Sequence, residues 1–165
     1  GPRLAASAPQ LSGAQHPRLE SHDTRRPASR VRSEDEFWQQ LTALFTLPGS
    51  PCVYYGTELA LEGGRDPDCR RCMPWDELDT DAGRARLDAM RSLIALRRTE
   101  PDLQGSAVTF CPGSGRLVRY RRGSVEVCLN AGTAPAALMP GGAALFARGW
   151  DGRTLAPGGT LVRRG

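Results

Sequence analysis

The chain has 165 residues, of which 39% are hydrophobic and 24% are charged, a composition typical of a globular protein with one or two small domains. No apolar run approaches the roughly 20 residues that a membrane-spanning helix needs, and we expect neither a membrane protein nor a signal peptide. All 22 basic residues are arginine, and we attribute the net charge of +4 to base composition more than to function.

The first segments lead into a short polar string. Residues 1–14 are rich in Ala, Pro, Ser and Gln, which predicts the frayed end of a helix or a linker. Residues 15–20 occupy the place of a strand, although Pro17 would cost a ladder hydrogen bond there. The string ESHDT follows at Glu20–Thr24. A carboxylate beside a histidine after a strand suits the mouth of a barrel, where loops build active sites, whereas Asp-Thr is also a capping pair.

A run of arginines comes next. Basic runs form either nucleic-acid patches or solvated loops. No aromatic residues interleave with these side chains to stack bases, so we predict a solvated loop and no nucleic-acid partner. The members of the run are Arg25, Arg26, Arg30 and Arg32.

Two helices and a strand are predicted beyond this run. Ser33 and Glu36 form a capping box, and apolar residues then repeat at helical spacing as far as Pro48-Gly49. The apolar run Cys52–Tyr55 predicts a short buried strand. A second amphipathic helix is predicted from about residue 82 to 98, with Leu87, Met90 and Ile94 on one face. Helix, strand, loop and helix are the end of an alternating α/β pattern.

Five cysteines fit a reducing compartment better than a disulfide scaffold, so we expect a cytoplasmic protein. Cys69 and Cys72 form a C-x-x-C motif in a loop rich in Asp, Arg and Pro. Zinc or redox use stays open as an alternative, but we favour coincidental loop cysteines because a second close pair is missing from the sequence.

The sequence changes in character after Gln104. Short segments rich in Val, Leu, Phe or Tyr alternate with Gly, Pro and Ser, which predicts a small antiparallel β domain with a hairpin near Arg122-Gly123. Turns are predicted at Pro140-Gly141-Gly142 and Pro157-Gly158-Gly159. The predicted strands are residues 107–111, 117–121, 124–129 and 143–146.

Three strings taken together resemble the α-amylase family. HDT at His22–Thr24 matches the motif at the end of the family's seventh barrel strand, and LPGSPCVYYGTE at Leu47–Glu58 matches its eighth strand. The segment EGGRDPDCRRCMPWD at Glu62–Asp76 is similar to a signature of neopullulanases, cyclomaltodextrinases and maltogenic amylases. The resemblance covers roughly residues 19–104. It implies an α/β plus all-β fold, with the last units of a (β/α)8 barrel over residues 1–104 and a β-sandwich domain over residues 105–165.

The resemblance also implies roles for individual residues. Asp23 would be the carboxylate that stabilises the transition state, and His22 would donate to the sugar in the cleavage subsite. Asp66 and Arg70 would contact the adjacent glucose, or alternatively form a salt bridge that braces the loop. Trp75 would be a sugar-stacking platform or, as we favour, a buried loop anchor.

The implied activity is that of a retaining glycosidase that cleaves α-1,4, or also α-1,6, bonds in maltodextrins. The family's nucleophilic Asp and acid/base Glu belong to strands four and five, which have no counterpart in this sequence, so we expect a C-terminal fragment that is inactive alone. No cofactor is predicted, and calcium, used in parts of the family, has no identifiable ligand set here. A transglycosylase and a non-catalytic carbohydrate-binding module are the alternatives. The sequence predicts no membrane partner and does not indicate an oligomeric state.

Overall fold

The computed structural model describes residues 15–165, so the segment 1–14, predicted as a frayed helix or linker, lies outside the described residues. Residues 15–165 contain two α-helices, α1 at Glu34–Thr46 and α2 at Asp81–Thr99. Short 3-10 turns lie at Pro27–Ser29, Thr57–Leu59, Asp68–Arg70, Trp75–Asp79 and Pro101–Leu103. The strands are β1 (Thr109–Cys111), β2 (Leu117–Arg122), β3 (Val125–Asn130), β4 (Ala136–Ala137), β5 (Ala144–Trp150) and β6 (Thr154–Arg164).

Two extended segments run parallel to each other on either side of α1 in the sequence. Arg18 and Cys52 form a parallel bridge, and the Cys52 amide donates to the Pro17 carbonyl at 3.0 Å. The predicted buried strand over Cys52–Tyr55 is wrong in its burial, because Cys52 and Val53 are exposed. Within residues 15–165 this segment has ladder bonds on one side alone, so no second strand covers it. Pro17 is tolerated because it supplies an acceptor.

Helix α1 begins where its cap predicts. The Ser33 hydroxyl accepts a hydrogen bond from the Glu36 amide at 3.3 Å, as the predicted capping box requires. The other half of the box differs, since the Glu36 carboxylate accepts from the Arg32 amide at 2.8 Å instead of from Ser33. At the other end, Arg97 of α2 donates to the carbonyls of Phe45 and Leu47, which satisfies acceptors at the C-terminus of α1.

Helix α2 extends one residue beyond its predicted bounds at each end. The Thr80 hydroxyl caps it by accepting from the Gly83 amide at 2.9 Å. Met90 is buried as predicted, but Ile94 is 39% exposed, which corrects the predicted apolar face. Leu93 lies at the centre of the buried stripe, and its neighbour Ile94 is turned about 100° away from it around the helix axis.

The six strands form one antiparallel sheet in the order β1-β2-β3-β6, with β4 and β5 also paired to β6. The predicted hairpin is confirmed: Arg122 pairs with Val125 across Gly123, whose φ is +56°. The turn predicted at Pro157-Gly158-Gly159 is wrong, because these residues lie inside β6. Neither β3 nor β4 pairs with residues 156–159, so Pro157 costs no ladder bond on that side.

The two helices and one face of the sheet share a single apolar core. Phe37, Trp38 and Leu41 of α1 lie in the same cluster as Met90 of α2 and Val162 of β6. A smaller cluster containing Cys128, Leu155 and Leu161 is separate from it. No helix in the described part of the chain is long and apolar enough to cross a membrane. Both helices thus share their buried apolar residues with one face of the sheet.

Candidate active site

Two loops follow the parallel segments and meet at one end of them. The HDT loop, Glu20–Thr24, comes directly after the segment that contains Arg18, and the C-x-x-C loop, Glu62–Asp76, comes after the segment that contains Cys52. Parallel strands direct the loops at their carboxyl ends to the same edge, which is where α/β barrels place their active sites. The fold therefore brings together two strings that are about forty residues apart.

The structure brings all four predicted site residues into one cluster. The Nε2 atom of His22 lies 3.0 Å from Oδ2 of Asp23. Arg70 places Nη2 3.4 Å from Oδ1 of Asp23 and 2.7 Å from Oδ1 of Asp66, so one guanidinium contacts both carboxylates. The side chains are about half to two-thirds exposed. The cluster therefore offers acceptors and donors side by side to a polar ligand.

The pair between Asp66 and Arg70 is the salt bridge that the sequence left as an alternative to sugar binding. Arg70 also donates from Nε to the carbonyl of His22 at 3.0 Å, so it joins the two loops as well as the two carboxylates. Because both partners stay about half exposed, the salt bridge leaves polar atoms open to solvent. Bracing and ligand contact are therefore compatible in this geometry.

Arg26 is a central residue that sequence reasoning missed. It was predicted to lie in a solvated loop, yet its side chain is fully buried, which corrects that prediction for this residue. Nη1 lies 3.1 Å from the Glu20 carboxylate and 2.7 Å from the Tyr55 carbonyl, and Nε donates to the Cys69 carbonyl at 2.8 Å. The guanidinium also lies over the Tyr54 and Tyr55 rings, at 4.3 and 4.7 Å from their centroids. We call Glu20, Arg26, Tyr54, Tyr55 and Cys69 the Arg26 cluster.

A signal for the Arg26 cluster was present but ambiguous. Glu20 and Arg26 lie six residues apart on either side of His22-Asp23, and opposite charges at that spacing are also common in solvated loops. The burial comes from Tyr54, Tyr55 and Cys69, which are about thirty to forty residues further along the chain. Thr57 adds a hydroxyl hydrogen bond to Glu20.

The two cysteines of the C-x-x-C motif occupy different environments. Cys69 is buried and its thiol donates to the His22 carbonyl at 3.0 Å, whereas Cys72 is exposed. In residues 15–165 no group of three or more His, Cys, Asp or Glu side chains is placed to hold a metal ion. Cys69 therefore has a packing role that its motif did not indicate.

Asp68 stabilises the turn of the C-x-x-C loop. Hydrogen bonds from Arg71 and from the Gly64 amide hold the pKa of this carboxyl below its usual value. Gly64 and Asp68 thus close the turn that contains Asp66. The Asp68 carboxylate is engaged within the loop, and Asp66 remains the carboxylate of this turn that contacts Arg70.

Trp75 is 69% exposed, so the predicted buried loop anchor is wrong. The reason is local: the 3-10 turn Trp75–Asp79 contains no buried residue. Its exposed ring is free to stack on a ligand face. Tyr54 and Tyr55 have a structural role here, because both rings pack against the Arg26 guanidinium.

A family model described as the catalytic domain of alpha amylase matches residues 7–92, about half of the chain. An intracellular maltogenic amylase from Bacillus subtilis is 44% identical over 86 residues, which is 52% of this chain and 14% of that protein. A cyclomaltodextrinase from a Bacillus species is 35% identical over 126 residues, 74% of this chain and 22% of that protein. The chain thus spans about a seventh to a fifth of these relatives.

The solved structures support the same architecture. A debranching enzyme from Nostoc punctiforme superposes with a TM-score of 0.75 at 26% identity, over 92% of this chain and 36% of that one. A maltogenic amylase from S. marinus gives a TM-score of 0.72 at 26% identity, over 89% of this chain and 22% of that one. This similarity confirms the predicted fold class, barrel units followed by an antiparallel β domain.

Proposed function

This chain belongs to the α-amylase family, and on that basis we propose that it forms the C-terminal part of a retaining glycosidase that cleaves α-1,4, or also α-1,6, glucosidic bonds in maltodextrins. Residues 1–104 would contribute to the catalytic barrel and residues 105–165 would form the C-terminal domain. The relative described as intracellular and the five free cysteines support a cytoplasmic location for the whole protein.

The cluster of Asp23, His22, Asp66 and Arg70 is the observation that supports this proposal. In glycoside cleavage the transition state has oxocarbenium character, and a carboxylate that binds the sugar hydroxyls stabilises the distorted ring. Asp23 would have this role, with His22 donating to the same sugar. Asp66 and Arg70 would contact the adjacent glucose through the polar atoms that their salt bridge leaves exposed.

The same site would serve a transglycosylase, in which a sugar instead of water attacks the covalent intermediate. A binding function without catalysis is the second candidate, and the exposed ring of Trp75 is the observation that favours it. The β domain supports it less, because Tyr120 is buried and Phe110, at 58% exposure, is its one strongly exposed aromatic ring. Product analysis separates the first two functions, since only transglycosylation yields longer oligosaccharides.

The decisive experiment compares Asp23→Asn with Asp88→Asn in the natural gene product, assayed on a cyclodextrin and on maltotriose. Asp88 is an exposed carboxylate of α2 that pairs with Arg91, so its variant controls for the loss of a surface charge. We expect Asp23→Asn to lower kcat by about 10²–10³-fold, the range found when one transition-state contact is removed. Equal activity of the two variants would contradict the role of Asp23.

The 165-residue chain itself should hydrolyse neither substrate, because no residue in it is assigned the nucleophile or acid/base role. Purified chain and the natural gene product are compared at equal molar concentration, with reducing ends as the readout. Hydrolysis by the isolated chain that disappears in Asp23→Asn would show that this expectation is wrong and that the two missing roles are filled within these residues.

A further inference from the structure

We propose that the buried ion pair of Glu20 and Arg26 is a positioning device that sets the orientation of Asp23 and Arg70 by joining the HDT loop to the C-x-x-C loop. The inference rests on the proposed function, because it assigns to the pair an effect on the same site. Glu20 and Arg26 themselves are buried and point away from solvent, so they act through other residues.

The first step is the reach of the Arg26 guanidinium. It contacts the Glu20 carboxylate in the HDT loop, the Tyr55 carbonyl just beyond Cys52 of the second parallel segment, and the Cys69 carbonyl in the C-x-x-C loop. The Arg26 amide adds a hydrogen bond to the Gly63 carbonyl at 3.0 Å. One residue therefore holds three separate segments of the chain at fixed distances from one another.

The second step leads from Arg26 to the site. The Cys69 carbonyl is held by Arg26, while the Cys69 thiol and the Arg70 Nε both donate to the carbonyl of His22, each at 3.0 Å. The His22 carbonyl precedes Asp23 directly, so two donors from the C-x-x-C loop fix the backbone from which the Asp23 side chain extends. Movement of Cys69 would shift both donors together and with them the Asp23 carboxylate.

The third step is that the C-x-x-C loop packs closely against Arg26, so the two cannot easily move relative to each other. A Cβ atom added to Gly63 would lie 2.7 Å from the Asp68 carbonyl oxygen and 3.0 Å from Cγ of Arg26. Within the described residues, Nη2 of Arg26 has no hydrogen-bond partner although it is buried. A buried pair is a poor source of stability relative to apolar packing, and its better-attested use is to specify one arrangement.

The variant Arg26→Lys tests whether the positive charge of Arg26 is sufficient or whether the shape of its guanidinium is also needed. Arg26→Lys keeps the positive charge beside Glu20, but a single ammonium on a flexible stem cannot reproduce the planar fork that reaches three segments. The matched control is Arg122→Lys. Arg122 is equally buried and donates to the carbonyls of Thr46, Leu103 and Gly105, all of them away from the two loops.

The test measures hydrolysis of maltotriose by both variants of the natural gene product at a temperature where circular dichroism shows both folded. We expect Arg26→Lys to lower kcat by about 10²-fold, the size of effect that an ångström-scale misplacement of a reacting group produces. Arg122→Lys should retain the wild-type kcat. Equal kcat values for the two variants would overturn the proposal, as would a change in KM alone.

A second readout does not depend on catalysis. In ¹⁵N-labelled 165-residue chain, Arg26→Lys should shift the amide resonances of His22, Asp23 and Arg70, whereas Arg122→Lys should leave them unchanged. If wild-type protein hydrolyses no α-glucan, the proposed function fails, and these shifts alone decide on the positioning device. Unmoved resonances overturn it. If Arg26→Lys does not fold, Glu20→Asp replaces it in both measurements, because the shorter side chain draws the carboxylate away from the Arg26 guanidinium.

Discussion

The surroundings of Asp151 favour the ionised form of its carboxyl group. Its carboxylate accepts hydrogen bonds from the hydroxyl and amide of Thr154 and from the amide of Arg153, all between 2.6 and 2.8 Å. These bonds to the charged form lower the pKa of Asp151 to about 2. Asp151 therefore closes the turn between β5 and β6 as long as its carboxylate is ionised.

The lowered pKa of Asp151 predicts an acid-labile turn. Because the folded pKa lies below the unfolded value of about 3.9, the stabilisation is complete above pH ~4 and is lost as the pH falls toward about 2. We expect the difference in melting temperature between the wild type and Asp151→Asn to shrink over this interval. A titration of the Asp151 carboxyl carbon by NMR measures the pKa directly, and a midpoint near 4 would contradict the expectation.

Glu126 provides a second prediction, since it lies buried between two arginines. Burial raises the pKa of Glu126, but hydrogen bonds from Arg119 and Arg163 outweigh that effect and keep it below its usual value. Glu126→Gln would leave the buried Arg163 without its counter-ion, and removing one partner of a buried pair costs about 3–5 kcal/mol. Chemical denaturation measures the loss, and Asp88→Asn, with an exposed pair, is the matched control.

If Glu126→Gln and Asp88→Asn were equally stable, the pair of Glu126 and Arg163 would contribute no more than a surface pair. The same conclusion would follow if the free energy of unfolding of the wild-type protein did not change between pH 7 and pH 3. Both outcomes concern folding stability, because neither residue lies near the HDT loop.

The role or burial of a residue could be predicted when it followed from a local motif, and could not when it depended on contacts with distant parts of the chain. His22, Asp23, Asp66 and Arg70 stand in motifs that can be compared directly, and the structure places them together. Arg26 and Trp75 were misplaced because the burial of a side chain depends on neighbours distant in sequence. Two tyrosines and a carbonyl enclose Arg26, whereas no described element covers Trp75.

At the scale of elements, β6 pairs with three other strands, β3, β4 and β5, and Gly158 is the position where it lies against α1. Its φ is +75°, and a Cβ atom at this position would lie 2.8 Å from Cβ of Asp35 in α1. Gly152 also has a positive φ, +98°, but has open space around it. The two glycines therefore share a backbone constraint and differ in their surroundings.

Gly158→Ala and Gly152→Ala separate the two effects. Gly152→Ala should cost about 1–2 kcal/mol, the penalty for placing a Cβ in the left-handed region. Gly158→Ala should cost more, because α1 must also move away from β6. Urea denaturation of both variants provides the measurement. Equal losses would show that α1 does not press against Gly158.

The helices and β6 differed in how well local sequence predicted them. Ser33 and Thr80 cap their helices through hydrogen bonds to residues three positions away, so both starts were readable. Strand β6 contains Pro157-Gly158-Gly159, which is a turn signal on local grounds. These residues lie within a strand because β3, β4 and β5 pair with β6 on either side of them, and such pairing is not visible in the local sequence.

At the scale of the whole molecule, the shared core predicts that residues 1–104 do not fold without the sheet. The apolar face of α1 packs on β6 and shares one core cluster with residues of β2 and β3, and Phe37, Trp38 and Leu41 are almost fully buried there. Removal of residues 105–165 would expose this face, and each such side chain loses about 1.5–3 kcal/mol of burial free energy. Circular dichroism of the shortened chain should show neither a cooperative thermal transition nor the helix content of the full chain.

The control is Gly105→Ala in the full chain, where a Cβ meets open space and folding should be unaffected. A cooperative transition in the shortened chain would mean that the helical part has a core of its own, and that the sheet contributes less to α1 than its contacts with β6 indicate.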